Sequence, residues 1–174
     1  MDLRSTLSKQ YISEALIALL QVKEYNKISI QDIVDKAGLS RITYYRNFNN
    51  KDEIIIYYLE ENTQDFFNRL NINVNQKEWK KYIEILFKDL LDEKKLLLAK
   101  TLIKADLTHY IKNEIERVLT SKTDNQRDLY KRLFIAGGIF NVYIEWVSNG
   151  CKETPEEMSN ILNEYFERFN LHQA

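Results

Sequence analysis

A chain of 174 residues with 44% apolar side chains is long enough for one domain, or two small ones, around a real core. Four glycines and one proline leave little for the tight turns of a many-stranded sheet, so long helices are expected. The net charge of −1 is silent about nucleic acid. Residues 1–51, however, carry eight Lys/Arg against five Asp/Glu, and the remainder 17 against 21, a mildly basic head on an acidic body.

Apolar residues recur at helical spacing along nearly the whole chain. A first helix is predicted over Ser5 to Lys23, with Leu7, Tyr11, Ile12, Ala15, Leu16 and Leu19 on one stripe. Ser29 caps a short second helix, Asp32 suits its first turn, and Ile33, Val34 and Ala37 face inward. Gly38 ends that helix in the left-handed conformation, and Leu39 packs the turn. Ser40 caps a third helix, Arg41 to Phe48. Asn50 caps a fourth, with Glu53 reaching back, that continues through Ile54, Tyr58 and Phe66 toward Leu70.

Asn71 to Gln76 is a polar break, and the domain boundary is placed near it; by function, residues 1–52 form the head and 53–174 the body. Trp79, Tyr82, Ile83, Leu86, Phe87 and Leu90 mark the next amphipathic helix. Leu96 to Ile103 and Leu107 to Leu119 give two more. After a loop at Ser121 to Asn125, a capping box at Thr123 to Gln126 starts a long helix that runs to Asn149 and stops at Gly150. Thr154-Pro155-Glu156-Glu157 opens the last helix, with Thr154 as cap, Pro155 at the first helical position and Glu157 closing the box. No period-2 strand stands out. The expected fold is all-α, about nine helices: an N-terminal tri-helical helix-turn-helix domain and a C-terminal helical domain.

Ser29 to Lys51 is the informative stretch. Two short helices joined by a glycine turn form no core alone, but helices on either side can cover them and present the last short helix to a DNA major groove. In that helix Tyr44 and Phe48 lie four apart and face inward, leaving Arg41, Thr43, Tyr45, Arg46 and Asn47 outward. Arginine pairs with guanine and asparagine with adenine in bidentate fashion. The Thr43 and Tyr45 hydroxyls and Lys51, at a helix N-terminus, suit phosphate oxygens.

Ile28-Ser29-Ile30-Gln31-Asp32-Ile33-Val34, Ala37-Gly38-Leu39-Ser40 and Thr43-Tyr44-Tyr45-Arg46-Asn47-Phe48-Asn49-Asn50-Lys51-Asp52-Glu53 together resemble the signature of the TetR/AcrR family of regulators, in order and without gaps over residues 5–60. The resemblance implies that Ser29 and Gln31 approach the DNA backbone and a base edge. It places Arg41, Ile42, Arg46 and Asn47 at base-reading positions. Thr43, Tyr45 and Lys51 fall at phosphate-contacting ones, beside the Ser40 cap. Asn47 stands where the family usually has an aromatic or histidine, which implies an altered operator sequence. Trp146 to Glu157 is similar to a subgroup of short TetR-like proteins that includes an activator of dihydroxyacetone kinase genes.

The resemblance further implies that the last two helices pair with those of a second subunit. Independently, Leu133 to Trp146 is apolar on more than one face and must be buried all round. Gly137-Gly138 in its middle fits close approach of another helix, from a partner or within the subunit. The expected dimer face comprises Gly137, Gly138, Tyr143, Trp146, Ile161, Tyr165 and Phe169. The family commonly binds a small molecule in the body, and Trp79, Tyr82, Phe87, Tyr110, Phe134 and Phe140 either line that pocket or simply fill the core.

Cys151 is the only cysteine, which rules out an internal disulfide and fits a reducing cytosol. His109 and His172 are the only histidines and make no ligand pair, so no metal or cofactor is expected. No secretory signal follows Met1-Asp2-Leu3-Arg4-Ser5 and no run of about 18 apolar residues exists, which predicts a cytoplasmic protein. Acidic residues are scattered over helix faces without converging, against an enzyme. The expected function is a homodimeric regulator, with repression the commoner outcome, binding near-palindromic double-stranded operator DNA. The alternative is a TetR-like co-regulator that acts mainly through protein partners.

Overall fold

The computed structural model describes residues 3–70, 79–121 and 125–168, with side chains other than those of 65–82, 166 and 167. The polar break at 71–76, Thr123, Phe169 and the side chains of Trp79, Tyr82 and Phe66 lie outside the described residues. Among the described residues there are nine α-helices and no strand. In chain order they are α1 (Leu3–Leu20), α2 (Ile30–Ala37), α3 (Arg41–Asn47), α4 (Lys51–Leu70), α5 (Trp79–Leu90), α6 (Glu93–Lys104), α7 (Thr108–Thr120), α8 (Gln126–Ser148) and α9 (Pro155–Arg168). A single 3₁₀ turn, Tyr25–Lys27, joins α1 to α2.

Local chemistry sets most of these boundaries. The Ser29 hydroxyl accepts from the Asp32 amide while Asp32 accepts from the Ser29 amide, closing a capping box at the start of α2. Gly38 ends α2 at φ +67°, a conformation that a Cβ would strain. At α9 the same reciprocal box joins Thr154 and Glu157. Two starts differ from the sequence reading. Asn125, not Thr123, caps α8, by accepting from the Asp128 amide. Glu53 reaches back to the Asn49 amide while Asn50 accepts from Glu53, so the cap of α4 is shared by two asparagines.

The head core joins Ile12, Leu16 and Leu20 of α1, Ile33 and Val34 of α2, Tyr44 and Phe48 around α3, and Ile54 and Ile55 of α4. Leu7 and Tyr11, expected inside, are exposed, because the inward face of α1 runs through Ile12, Ala15, Leu16 and Leu20. In the body α5 packs on α9, α7 on α8 and on α4, and α6 on α8. Tyr44 is fully buried, yet its hydroxyl has no hydrogen-bond partner among the described residues. An orphaned buried hydroxyl costs about 1–3 kcal/mol. Tyr44→Phe is therefore expected to raise stability by about 1 kcal/mol, read as a higher urea midpoint at unchanged m.

Candidate nucleic-acid interface

The site is built on α3, a helix of two turns that survives because its ends are capped and its inner face is anchored. Ser40 accepts from the Thr43 amide, and the Ser40 and Thr43 hydroxyls lie 2.9 Å apart. Tyr44 and Phe48 fix the helix to the core, and the Tyr45 ring stands edge-on to Tyr44 at 5.2 Å between centroids. With the inner face held, Arg41, Ile42, Tyr45 and Arg46 form one outward face; Ile42 is 66% and Tyr45 56% exposed. Among the described residues neither guanidinium has an ion-pair partner. Two cations, a phenol and an aliphatic side chain on one rigid, water-facing helix can meet base edges, thymine methyls and phosphates together.

The remaining residues predicted for the site divide. Ser29 and Gln31 are exposed at the start of α2; the Gln31 amide donates to Asp35, 2.7 Å away. Thr43 is half-buried and belongs to the cap. Asn47 is not displayed for base reading. Its Oδ1 accepts from the Ser5 hydroxyl at 2.8 Å, which ties α3 to α1, and its Nδ2 donates to the Thr43 carbonyl within α3 at 2.8 Å, so both ends of the amide are occupied. Lys51 also turns inward. Its Nζ donates to the carbonyls of Tyr25 at 2.7 Å and Ile28 at 2.8 Å and sits 4.3 Å from the Tyr25 ring centroid. Burial moves its pKa below the usual lysine value. Lys51 is thus a clamp on the turn before α2.

A junction between head and body lies beside this clamp and was missed in the sequence. The Tyr25 hydroxyl donates to the Asp52 carboxylate, and the Tyr110 hydroxyl, from α7, faces the same carboxylate. Together with the Lys51 and His109 charges they hold the Asp52 carboxyl below its usual range, Tyr110 first. Burial, then Asp52, pushes the Tyr110 phenol up to about 12. Tyr25 and Tyr110 are 85 residues apart in the chain, so no local pattern could have paired them.

Asp32 supplies the head's clearest pH dependence. Its carboxyl lies well below the usual carboxylate range because the Lys23 ammonium, 2.7 Å away, and the Ser29 amide and hydroxyl all favour the charged form. A carboxyl depressed on folding stabilises the fold above its unfolded value of 3.8, and that stability is lost as pH falls through and below it. The urea midpoint is expected to drop between pH 5 and pH 3, and to drop less in Asp32→Asn. Equal drops in both proteins contradict the assignment.

The body corrects two sets of residues. Tyr143 and Trp146, expected on a dimer face, are each 3% exposed within the subunit. Trp146 packs edge-on against Phe87 at 5.0 Å and donates its Nε1–H to the Glu153 carbonyl. They lie on the inner side of α8, with Ile135 and Ile139. Its other side turns Tyr130, Phe134 and Gly138 to solvent, and α9 exposes Ile161 and Tyr165. A Cβ built on Gly137 or Gly138 meets nothing within 4 Å, so tight packing inside the subunit does not account for them.

Of the aromatic set expected to line a pocket, the four whose side chains are described do not line the apolar cavity of the body. Phe87 is core, Tyr110 sits at the junction, Phe134 is exposed and Phe140 half-buried. A cavity of about 180 Å³ lies among α4 to α8, walled by aliphatic residues such as Leu59, Leu90, Leu98, Ile115 and Ile139. Among the described residues no three His, Cys, Asp or Glu side chains come together as metal ligands, and no helix is long and apolar enough to cross a membrane.

Residues 12–58 match the family model for bacterial regulatory proteins of the tetR family, and residues 77–168, more than half the chain, match a transcriptional regulator C-terminal region of the same family. The chain belongs to the TetR family. Both family models describe regulatory proteins, its relatives are regulators, not enzymes, and the chain spans about 60% of the length of the curated relative it matches. The HTH-type dhaKLM operon transcriptional activator DhaS of Lactococcus lactis subsp. lactis (strain IL1403) is 27% identical over 117 residues, 67% of this chain and 60% of that protein. Three solved structures share the fold. Lin0861 from Listeria innocua superposes at a TM-score of 0.73 with 16% identity, covering 97% of this chain and 93% of that one. The dihydroxyacetone kinase operon activator DhaS gives 0.59 and 21%, covering 94% and 97%. The TetR family repressor AlkX from Dietzia sp. strain DQ12-45-1b gives 0.54 and 16%, covering 95% and 96%.

Proposed function

We propose that this TetR-family protein acts in the cytoplasm as a homodimer on a near-palindromic operator, each subunit setting α3 in a major groove, with a small molecule in the body shifting affinity. The observation that carries the reading is the outward face of Arg41, Ile42, Tyr45 and Arg46, water-facing and, among the described residues, without ion pairs. Arg41 and Arg46 read bases, Ile42 meets a thymine methyl, and Ser29, Gln31, Ser40, Thr43 and Tyr45 address the backbone. Asn47 and Lys51 act one step back, holding α3 and the turn before α2 in place. Unpartnered apolar residues on α8 and α9, with the open space over Gly137 and Gly138, support a second subunit there. Half-sites then fall about 34–36 Å apart or at a multiple of it. Repression is the proposed outcome, as named for AlkX; DhaS is named an activator.

Binding of duplex DNA from beside the protein's own gene tests this. Tyr45→Ala is expected to weaken specific and non-specific DNA alike. Arg46→Ala should instead relax preference at one operator position, worth about 1–3 kcal/mol of discrimination. Specific affinity and preference unchanged in both variants overturn the site. A wild type that binds DNA only with a protein partner present supports the co-regulator reading.

A further inference from the structure

We propose that the body cavity takes a small, uncharged, largely apolar molecule bearing a single hydrogen-bond acceptor, which Tyr143 recognises. The proposal rests on the reading that an effector binds in the body, and it names that effector's chemistry. The walls are aliphatic, and the polar groups on them already have partners inside the protein. Asn62 donates to the Tyr58 carbonyl and Thr63 to the Leu59 carbonyl. Asp89 pairs with Lys95. The Glu114 carboxylate is held by two nitrogens of Arg117, at 2.6 and 2.7 Å. A charged ligand therefore finds no uncommitted counter-charge here, and it would lose its hydration without replacement.

Tyr143 is the exception. It lines the cavity and is 97% buried, from its 3% exposure, yet among the described residues its hydroxyl has no hydrogen-bond partner. Burial, reinforced by Cys151 and Asp89, raises its pKa, so it stays a neutral O–H donor. A neutral donor without a protein acceptor, on a residue in the wall of an apolar cavity, selects a ligand that brings the acceptor. The volume of about 180 Å³ sets the size, since an apolar cavity of about 150 Å³ accommodates benzene. A one-ring ketone or a short-chain alcohol fits this volume.

Four probes of similar size separate the possibilities: acetophenone, ethylbenzene, benzoate and benzylammonium. Acetophenone is expected to bind the full chain by titration calorimetry and to raise the melting temperature by about 3 °C at ten times its Kd. Ethylbenzene should bind about tenfold more weakly, and the two ions undetectably. Tyr143→Phe, which removes one oxygen, should erase the preference for acetophenone over ethylbenzene, and Ala99→Phe, which fills the cavity, should abolish both. Benzoate or benzylammonium binding as tightly as acetophenone, a preference that survives Tyr143→Phe, or no acetophenone binding at all overturns the proposal. Operator affinity measured on the same preparations without any probe keeps the two readings apart. If it is intact while acetophenone fails, the ligand class falls and the DNA reading stands.

Discussion

Phe134→Asp is expected to split the proposed dimer and lower operator affinity at least about a hundredfold, leaving the subunit folded. Phe134 is 64% exposed on α8, on the same side as Tyr130 and Gly138. A carboxylate there costs the isolated subunit little, because the position faces water. Against an apolar partner it places an unpaired charge in a desolvated interface. The loss on DNA follows from geometry. Once one head is seated in its major groove, the second binds at an effective concentration fixed by the dimer, and separated subunits forfeit that gain. Sedimentation velocity and operator titration on one sample measure both effects. A variant that stays dimeric removes this face of α8 from the interface.

Trp146→Ala is expected to destabilise the subunit by about 3–5 kcal/mol. The sequence reading put Trp146 between subunits; its position against Phe87, with Nε1–H on the Glu153 carbonyl, puts it in the core that joins α5, α8 and the turn before α9. Truncation opens a cavity beside a fully buried phenylalanine and orphans a carbonyl. Chemical denaturation should therefore show a lower midpoint at every protein concentration. A loss that appears only on dilution would return Trp146 to the dimer face.

These two variants mark how far the sequence could be read. The head was legible nearly residue by residue because its determinants are local. A cap at Ser29, a glycine at 38, a cap at Ser40 and an inward pair at Tyr44 and Phe48 each act within four residues of themselves. The long helix α8 was legible in kind, since Leu133 to Trp146 is apolar on opposite sides. Periodicity does not say which side meets the subunit's own core, and Tyr143 and Trp146 were placed on the wrong one. Long-range hydrogen bonds were the least legible. Asn47 and Lys51 have the side chains of DNA-binding residues, but Ser5, 42 residues away, and the carbonyls of Tyr25 and Ile28 occupy them. The cavity's walls come from five helices, so no single stretch of sequence announces them.

The outward face of α3 is tested most directly by titrating an operator duplex with wild type and with the triple variant Arg41→Ala, Tyr45→Ala, Arg46→Ala between 50 and 200 mM salt, about the range over which phosphate contacts are dissected. All three side chains are exposed, so the variant should keep the wild-type melting temperature. The expected result is a steep fall of wild-type affinity with salt and, at fixed salt, an affinity at least about a hundredfold weaker in the variant. Affinities within about twofold of each other, with both proteins folded, would mean that this helix does not touch the duplex.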